Sequence, residues 1–187
     1  QDPDQVTCAE LAVLLTRHEA GEPQATAALE EAFSGSLRFG TAGLRGRLGA
    51  GPHRMNRVTV IRAAAGLCAY LRQTLGDGFT VVIGYDARHN SAQFARDTAA
   101  VVTGAGGRAL LFDGHCPTPV LAFAVRRLKA DAGVMVTASH NPPQDNGYKV
   151  YLGGRVVSGP GQGAQVVPPY DEWISQRINA VGDVSTV

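Results

Sequence analysis

The chain has 187 residues, 44% of them hydrophobic, with 17 Lys and Arg against 16 Asp and Glu and a formal net charge of +1. A chain of this length buries a real core and fits one domain; its near-balanced charge argues against a dedicated nucleic-acid binder, and no apolar run approaches the ~20 residues of a membrane span. Cys8, Cys68 and Cys116 are odd in number and form no Cys-x-x-Cys pair, which weighs against a disulfide framework or zinc site and for a reducing, cytoplasmic setting.

In chain order, Cys8–Glu19 and Gln24–Phe33 read as two short helices, with Thr7 a candidate cap and Pro23 suited to a first turn. Phe39-Gly40-Thr41-Ala42-Gly43-Leu44-Arg45-Gly46 reads as a Gly-rich loop whose backbone can approach a ligand closely. It is neither a Gly-x-Gly-x-x-Gly turn nor a Walker loop, so nucleotide binding is not read from it. Asn56 caps a helix running to about Leu75, with Val60, Ala64, Leu67 and Leu71 on one face and Gly76 as its stop. Cys68 is expected to face the core of that helix.

Phe79–Ile83 is then a strand, Ser91–Thr103 a helix, Ala109–Phe112 a strand, Pro119–Leu128 a helix and Gly133–Thr137 a strand. Tyr148–Leu152 and Arg155–Val157 read as a hairpin across Gly153-Gly154. Beyond a Gly/Pro/Gln loop, Pro169–Ala180 forms a helix with Trp173 and Ile174 as its apolar face. Strands alternating with helices predict a three-layer α/β/α domain with a mixed, largely parallel sheet. The domain is expected over residues 1–181: a helical segment at about 7–33, an α/β core at about 37–180, and the start of a linker at 182–187. Active residues then belong at the carboxyl ends of the strands, where Asp86 and Ser139 fall.

The stretch from Thr137 to Lys149 carries the most chemistry. Ser139 opens a loop stiffened by Pro142-Pro143 and closed by Asn146-Gly147, with His140 and Lys149 near in sequence. An ordinary loop serine is the simplest reading. A hydrolase nucleophile is disfavoured: no Gly-x-Ser-x-Gly elbow is present, and His140 is an immediate neighbour that points away on extended backbone. A phosphate carrier would bring about −1.5 to −2 charges and would need cations around it. From Ala32 to Gly76 there is no Asp or Glu, whereas Arg38, Arg45, Arg47, Arg54, Arg57, Arg62 and Arg72 all occur. Guanidinium groups suit phosphate oxygens, and the absence of interleaved aromatics speaks against base stacking. Arg57, Arg62 and Arg72 are assigned to the solvent face of the helix.

Together these pieces resemble the α-D-phosphohexomutase superfamily. Phe39–Gly46 resembles its Gly-Thr-x-Gly-x-Arg-Gly motif, Gly84-Tyr85-Asp86-Ala87-Arg88 with Ser91 and Phe94 its Gly-x-Asp-x-Arg segment, and Thr137–Lys149 its phosphoserine loop. The wording is similar to the branch holding bacterial phosphoglucomutase/phosphomannomutase and animal phosphopentomutase. The resemblance implies that Ser139 carries a phosphoryl group between O1 and O6 of a hexose phosphate through a bisphosphorylated intermediate. It implies that Lys149 and Arg45 flank Ser139, that His140 sits in the same shell, and that Asp86 and Arg88 form a structural ion pair supporting the loop.

Mg²⁺ is the implied cofactor, held by the phosphate on Ser139 and by carboxylates this chain does not supply. A phosphorylated sugar and a sugar bisphosphate activator are the implied partners, without nucleic acid or membrane. Phosphopentomutase or sugar-bisphosphate synthase activity, or a non-catalytic phosphosugar-binding module, are the alternatives. The family's Asp-x-Asp-x-Asp-Arg and Gly-Glu-x-Ser-Gly segments are not found, and neither an initiator Met nor a C-terminal phosphate loop is present. The chain is therefore expected to be the family's first domain, a fragment inactive alone.

Overall fold

The computed structural model describes residues 2–187. Its elements are α1 (Gln5–Glu19), α2 (Pro23–Phe33), β1 (Leu44–Arg47), α3 (Arg57–Leu75), β2 (Thr80–Tyr85), α4 (Ser91–Gly104), β3 (Arg108–Leu111), α5 (Thr118–Arg127), β4 (Ala132–Val136), β5 (Asp145–Leu152) and α6 (Tyr170–Asn179). The five strands lie in the order β1-β5-β4-β2-β3. β2 is parallel to both β3 and β4, while β5 is antiparallel to β4 and β1. Four strands thus share one direction and β5 runs back between two of them, which is the mixed, largely parallel sheet expected.

Side-chain alternation divides the core into two layers. Val81 and Ile83 of β2 and Val134 and Val136 of β4 face α3, α4 and α6, where Leu67, Leu71, Phe94 and Ile174 complete the larger cluster. Val82 and Met135 point the other way, onto Leu121, Ala124 and Val125 of α5. β4 is buried at every residue, as a central strand covered on both faces must be. Each fully buried large side chain such as Phe94 contributes about 1.5–3 kcal/mol of transfer free energy.

Helix starts follow local chemistry. Asn56 Oδ1 accepts from Thr59 N at 2.9 Å, and its Nδ2 donates to Gly49 O and Gly51 O, so one side chain caps α3 and pins the preceding loop. Gly76 stops that helix at φ 79°. α1 begins earlier than the sequence reading placed it: Asp4 caps it by accepting from Val6 N, and Thr7 lies a turn inside, donating to Asp2 Oδ2 at 2.7 Å.

Other expectations are corrected. The octapeptide Phe39–Gly46 is not all loop, because Leu44–Arg47 pairs with β5 and Leu44 faces Tyr148. The expected hairpin across Gly153-Gly154 does not form. Val156 N and Val157 N both bond back to Gly153 O, turning the chain, and Asp131 draws Arg155 away in a two-pronged pair at 2.6 and 2.7 Å. Residues 163–166 take the edge that the hairpin would have used: Leu152 N donates to Ala164 O, Gly163 N to Leu152 O and Val166 N to Val150 O. In α6, Ile174 is fully buried but Trp173 is 45% exposed, lying against Tyr70 and Tyr170 at the surface.

Candidate active site

Ser139 sits just past the carboxyl end of β4, in a turn closed by Asn141 N donating to Ala138 O at 3.0 Å. Its φ is +60°, a conformation that residues other than glycine rarely adopt. The turn therefore holds the serine strained and exposed, a state that surrounding structure must enforce. Two sets of bonds do so. Thr137 Oγ1 accepts from Ser139 N at 2.9 Å, tying the loop to the strand end. Arg88 supplies the second set from the neighbouring β2–α4 connection.

The Arg88 guanidinium donates to four loop carbonyls: Pro142 O at 2.8 Å, Asp145 O at 3.0 Å, Ser139 O at 3.0 Å and Asn141 O at 2.9 Å. Its Nε faces Asp86 Oδ2 at 3.3 Å. Both terminal nitrogens of this planar fork donate to two acceptors each, something a lysine could not arrange. Asp86 Oδ1 in turn accepts from Ser91 Oγ, and Ser91 Oγ accepts from Asn146 Nδ2 at 3.0 Å. Asp86 and Arg88 are thus the supporting pair the resemblance implied. Ser91 and Asn146 extend that brace; both fall within the motifs quoted above, but their meeting across 55 residues is not legible in either motif alone.

The cations have different environments. Leu44–Arg47 pairs with β5 so that Arg45 lies opposite Gly147, and Thr137 N bonds to Gly147 O from the other side. Gly147 has no side chain in this row, and a Cβ there would fall 3.2 Å from Arg45 Cγ and 2.6 Å from Thr137 O. The Arg45 side chain crosses over that gap. Lys149, two residues along β5, shares its face. Arg45 Nε is buried with no hydrogen-bond partner, and neither Arg45 nor Lys149 forms an ion pair among the described residues. Lys149 is only 7% exposed, not the solvent-facing strand lysine that is common. Burial, and then the positive charge of Arg45, lower its pKa.

The broader arginine bias resolves unevenly. Arg54 pairs with Glu31, Arg57 with Asp97, and Arg72 with Asp77, while Arg62 donates to Val181 O. Arg38, Arg45, Arg47 and Arg62 remain without an acidic partner among the described residues, and of these Arg62 is engaged by a backbone carbonyl. His140 is exposed and hydrogen-bonds to no side chain among the described residues. Burial pushes the Cys68 thiol up to about 12, so it is no nucleophile at neutral pH.

For magnesium the donor set is inadequate. Among the described residues there is no group of three or more His, Cys, Asp or Glu that could hold a metal ion. Asp86, the carboxylate of this corner, is engaged by Arg88 and Ser91. Residues 2–187 therefore do not make a magnesium site by themselves. No helix among the described residues is long and apolar enough to cross a membrane.

Comparison with known proteins agrees with the geometry. Residues 36–183 match the phosphoglucomutase/phosphomannomutase family, alpha/beta/alpha domain I. The phosphoribomutase of Saccharomyces cerevisiae is 42% identical over 183 residues, covering 96% of this chain and 27% of that protein. A probable phosphomannomutase of Haemophilus influenzae is 53% identical over 127 residues, covering 68% of this chain and 25% of that protein. Among solved structures, one described as a phosphomannomutase from Thermus thermophilus superposes with a TM-score of 0.69 at 33% identity, over 80% of this chain and 31% of that one. The chain spans about a quarter of the length of the curated relatives it matches. On the family match and the extent of these identities, the chain belongs to the phosphoglucomutase/phosphomannomutase family, through its α/β/α domain I.

Proposed function

We propose that this domain supplies the phosphoryl carrier of a phosphosugar mutase, with Ser139 as the residue that is esterified. One observation carries the reading: a serine forced to positive φ by a saturated Arg88 brace, at the sheet end where Arg45 and Lys149 have no acid to neutralise them. Phosphate would supply the missing counter-charge, with guanidinium and ammonium groups as charge-assisted donors.

In the forward half-reaction a sugar hydroxyl oxygen attacks the phosphorus of phosphorylated Ser139. The bond from phosphorus to Ser139 Oγ breaks, and the hydroxyl proton leaves. Lys149 is suited to take that proton, because burial favours its neutral amine, and to pass it to the departing Ser139 Oγ, which leaves as a hydroxyl. The product is a bisphosphorylated sugar. After it turns over, Ser139 Oγ attacks the other phosphorus, and its hydroxyl proton passes through the same lysine to the departing sugar oxygen. Arg45 holds negative charge throughout, and His140 lies at the rim of the turn. Such transfer rests on positioning and electrostatics.

The Mg²⁺ of this chemistry draws its carboxylates from outside residues 2–187, so the domain alone is expected to be inactive. A phosphorylated sugar and a bisphosphate activator are its partners, and the cytoplasm its setting, consistent with three free cysteines. A pentose phosphate is the second reading of the substrate, favoured by the phosphoribomutase likeness over 96% of the chain.

The test uses the longer protein carrying this domain, supplied with Mg²⁺ and a hexose 1-phosphate or a pentose 1-phosphate. Formation of the 6-phosphate or 5-phosphate is expected, with at least a 10³-fold loss in Ser139→Ala. Undiminished turnover in that variant would rule out the carrier role. Binding without turnover by the wild type would instead establish a binding module.

A further inference from the structure

At the far end of the sheet from Ser139 lies a cavity of about 710 Å³, lined by Phe123, Arg126, Arg127, Lys129, Arg155 and Gln162 together with Gly153 and Gly154. It lies at the carboxyl end of α5, where β4 begins and β5 ends. β4 alone, at about 3.3 Å per residue, puts roughly 16 Å between this place and the serine turn. Four cations converge on it. Neither Gly114–Ala130 nor Gly153–Tyr170, the segments forming its walls, contains an Asp or Glu. The one neighbouring acid, Asp131, is 1% exposed and fully used by Arg155 and by Thr80 N. Arg126, Arg127 and Lys129 form no ion pair among the described residues.

Basic residues in a last helical turn are ordinarily explained by the helix dipole, and Arg126 and Arg127 satisfy that. Lys129 does not. It occupies the position after the cap where Lys129 N bonds to Arg126 O and Ala130 N to Val125 O, the paired closure that strongly prefers glycine. Its φ is +53°. A lysine kept in a glycine position, aimed at a cavity already lined with guanidinium groups, marks strain kept for a purpose.

The walls are also fitted. A Cβ at Gly163 would fall 2.6 Å from Arg126 Cγ, and one at Gly154 would fall 3.1 Å from the Gln162 amide carbon. Two side chains of the lining are thus laid along glycines. Arg155 is fixed by Asp131, and Phe123, 64% exposed, offers an apolar surface at the rim.

We propose that this cavity is a second, non-catalytic site for a small organic anion bearing two or more phosphate groups. The volume suits a metabolite-sized ligand. Convergent guanidinium forks recognise phosphate oxygens in pairs, with Lys129 as the added point charge. Because it lies at the opposite sheet end, occupancy here and chemistry at Ser139 are separable.

The experiment is a titration of the ¹⁵N-labelled chain with inorganic pyrophosphate at constant ionic strength, followed by amide chemical shifts. Saturating single-site shifts are expected at Gly153, Gly154, Arg155 and Gln162. The informative variant is Lys129→Gly, which relieves the positive φ, so its melting temperature is expected to be no lower than that of the wild type. Its affinity should fall at least ten-fold, with a similar loss in Arg127→Gln. Arg155 is unsuitable for substitution, since its loss would leave Asp131 buried and unpaired. Arg45→Gln, at the serine end, should leave the titration of these four amides unchanged. Non-saturating shifts, shifts confined to the Ser139 turn and β1, or unchanged affinity in both Lys129→Gly and Arg127→Gln would each overturn the proposal.

Discussion

Arg88, just past the end of β2, and Arg45, on the edge strand β1, live opposite lives. Arg88 gives its donors to four carbonyls and a carboxylate, leaving nothing for a ligand. Arg45 keeps a buried Nε with no acceptor, beside a buried lysine that repels it. A saturated cation is a structural part, and its removal should be felt in folding. An unsaturated buried cation costs stability while no anion is bound, and its removal should be felt in function. The contrast is measurable residue by residue.

The largest effect should come from Arg88. Replacing it with methionine leaves four loop carbonyls and Asp86 without their donor, and breaking such a partly buried pair costs on the order of 3 kcal/mol. Urea denaturation should show that loss, and hydrogen exchange should show the Ser139–Asp145 loop opening. Arg88→Lys should recover less than half of it, because an ammonium cannot serve the same fork. A loss under about 1 kcal/mol in Arg88→Met would break the comparison from its structural side.

Gly147→Ala comes next. The added methyl meets Thr137 O, Leu44 O and the Arg45 side chain, and overpacking of this kind costs about 1–3 kcal/mol. Arg45 should also be displaced, so turnover of the longer protein should fall together with stability.

At Ser139 the sign changes with the substituent. Glycine accepts φ +60° freely and alanine does not, so Ser139→Gly should be more stable than Ser139→Ala by about 1 kcal/mol in thermal or chemical denaturation. Both should be inactive in the longer protein. Equal stabilities would mean that the turn relaxes without the brace described above.

Much of this was readable before any coordinates. Alternating apolar runs gave the helices and parallel strands, and Asn56 and Gly76 marked the ends of α3 because capping is local chemistry. What was hidden depends on partners distant in sequence. Leu44–Arg47 carries two polar arginines and a glycine in four residues, and becomes a strand only because β5 offers it an edge. Arg155–Val157 has strand-forming valines, but Asp131, 24 residues away in sequence, claims Arg155 first. Within the candidate site, the exposed turn at Ser139 and the support from Asp86 and Arg88 were legible in the motifs. That four of the seven arginines are consumed elsewhere was not, since composition does not say which charges meet.

The smallest and most specific effect belongs to Lys149. Its pKa lies below the ordinary 10.5 in the folded domain, because burial and Arg45 disfavour the ammonium. The unfolded chain therefore binds more protons than the native one in the window between the native pKa and 10.5, and stability must rise with pH across it. Below that window the full cost of burying the charge is present; above 10.5 it is gone. Lys149→Met removes the titration, so its stability at neutral pH should equal or exceed that of the wild type by up to about 1 kcal/mol, and the difference should close as the pH approaches 10.5. Parallel urea midpoints at neutral pH and near pH 10 test this. A Met variant that is less stable at neutral pH would mean that Lys149 has a partner stabilising its charge, and it would then belong with Arg88, not Arg45.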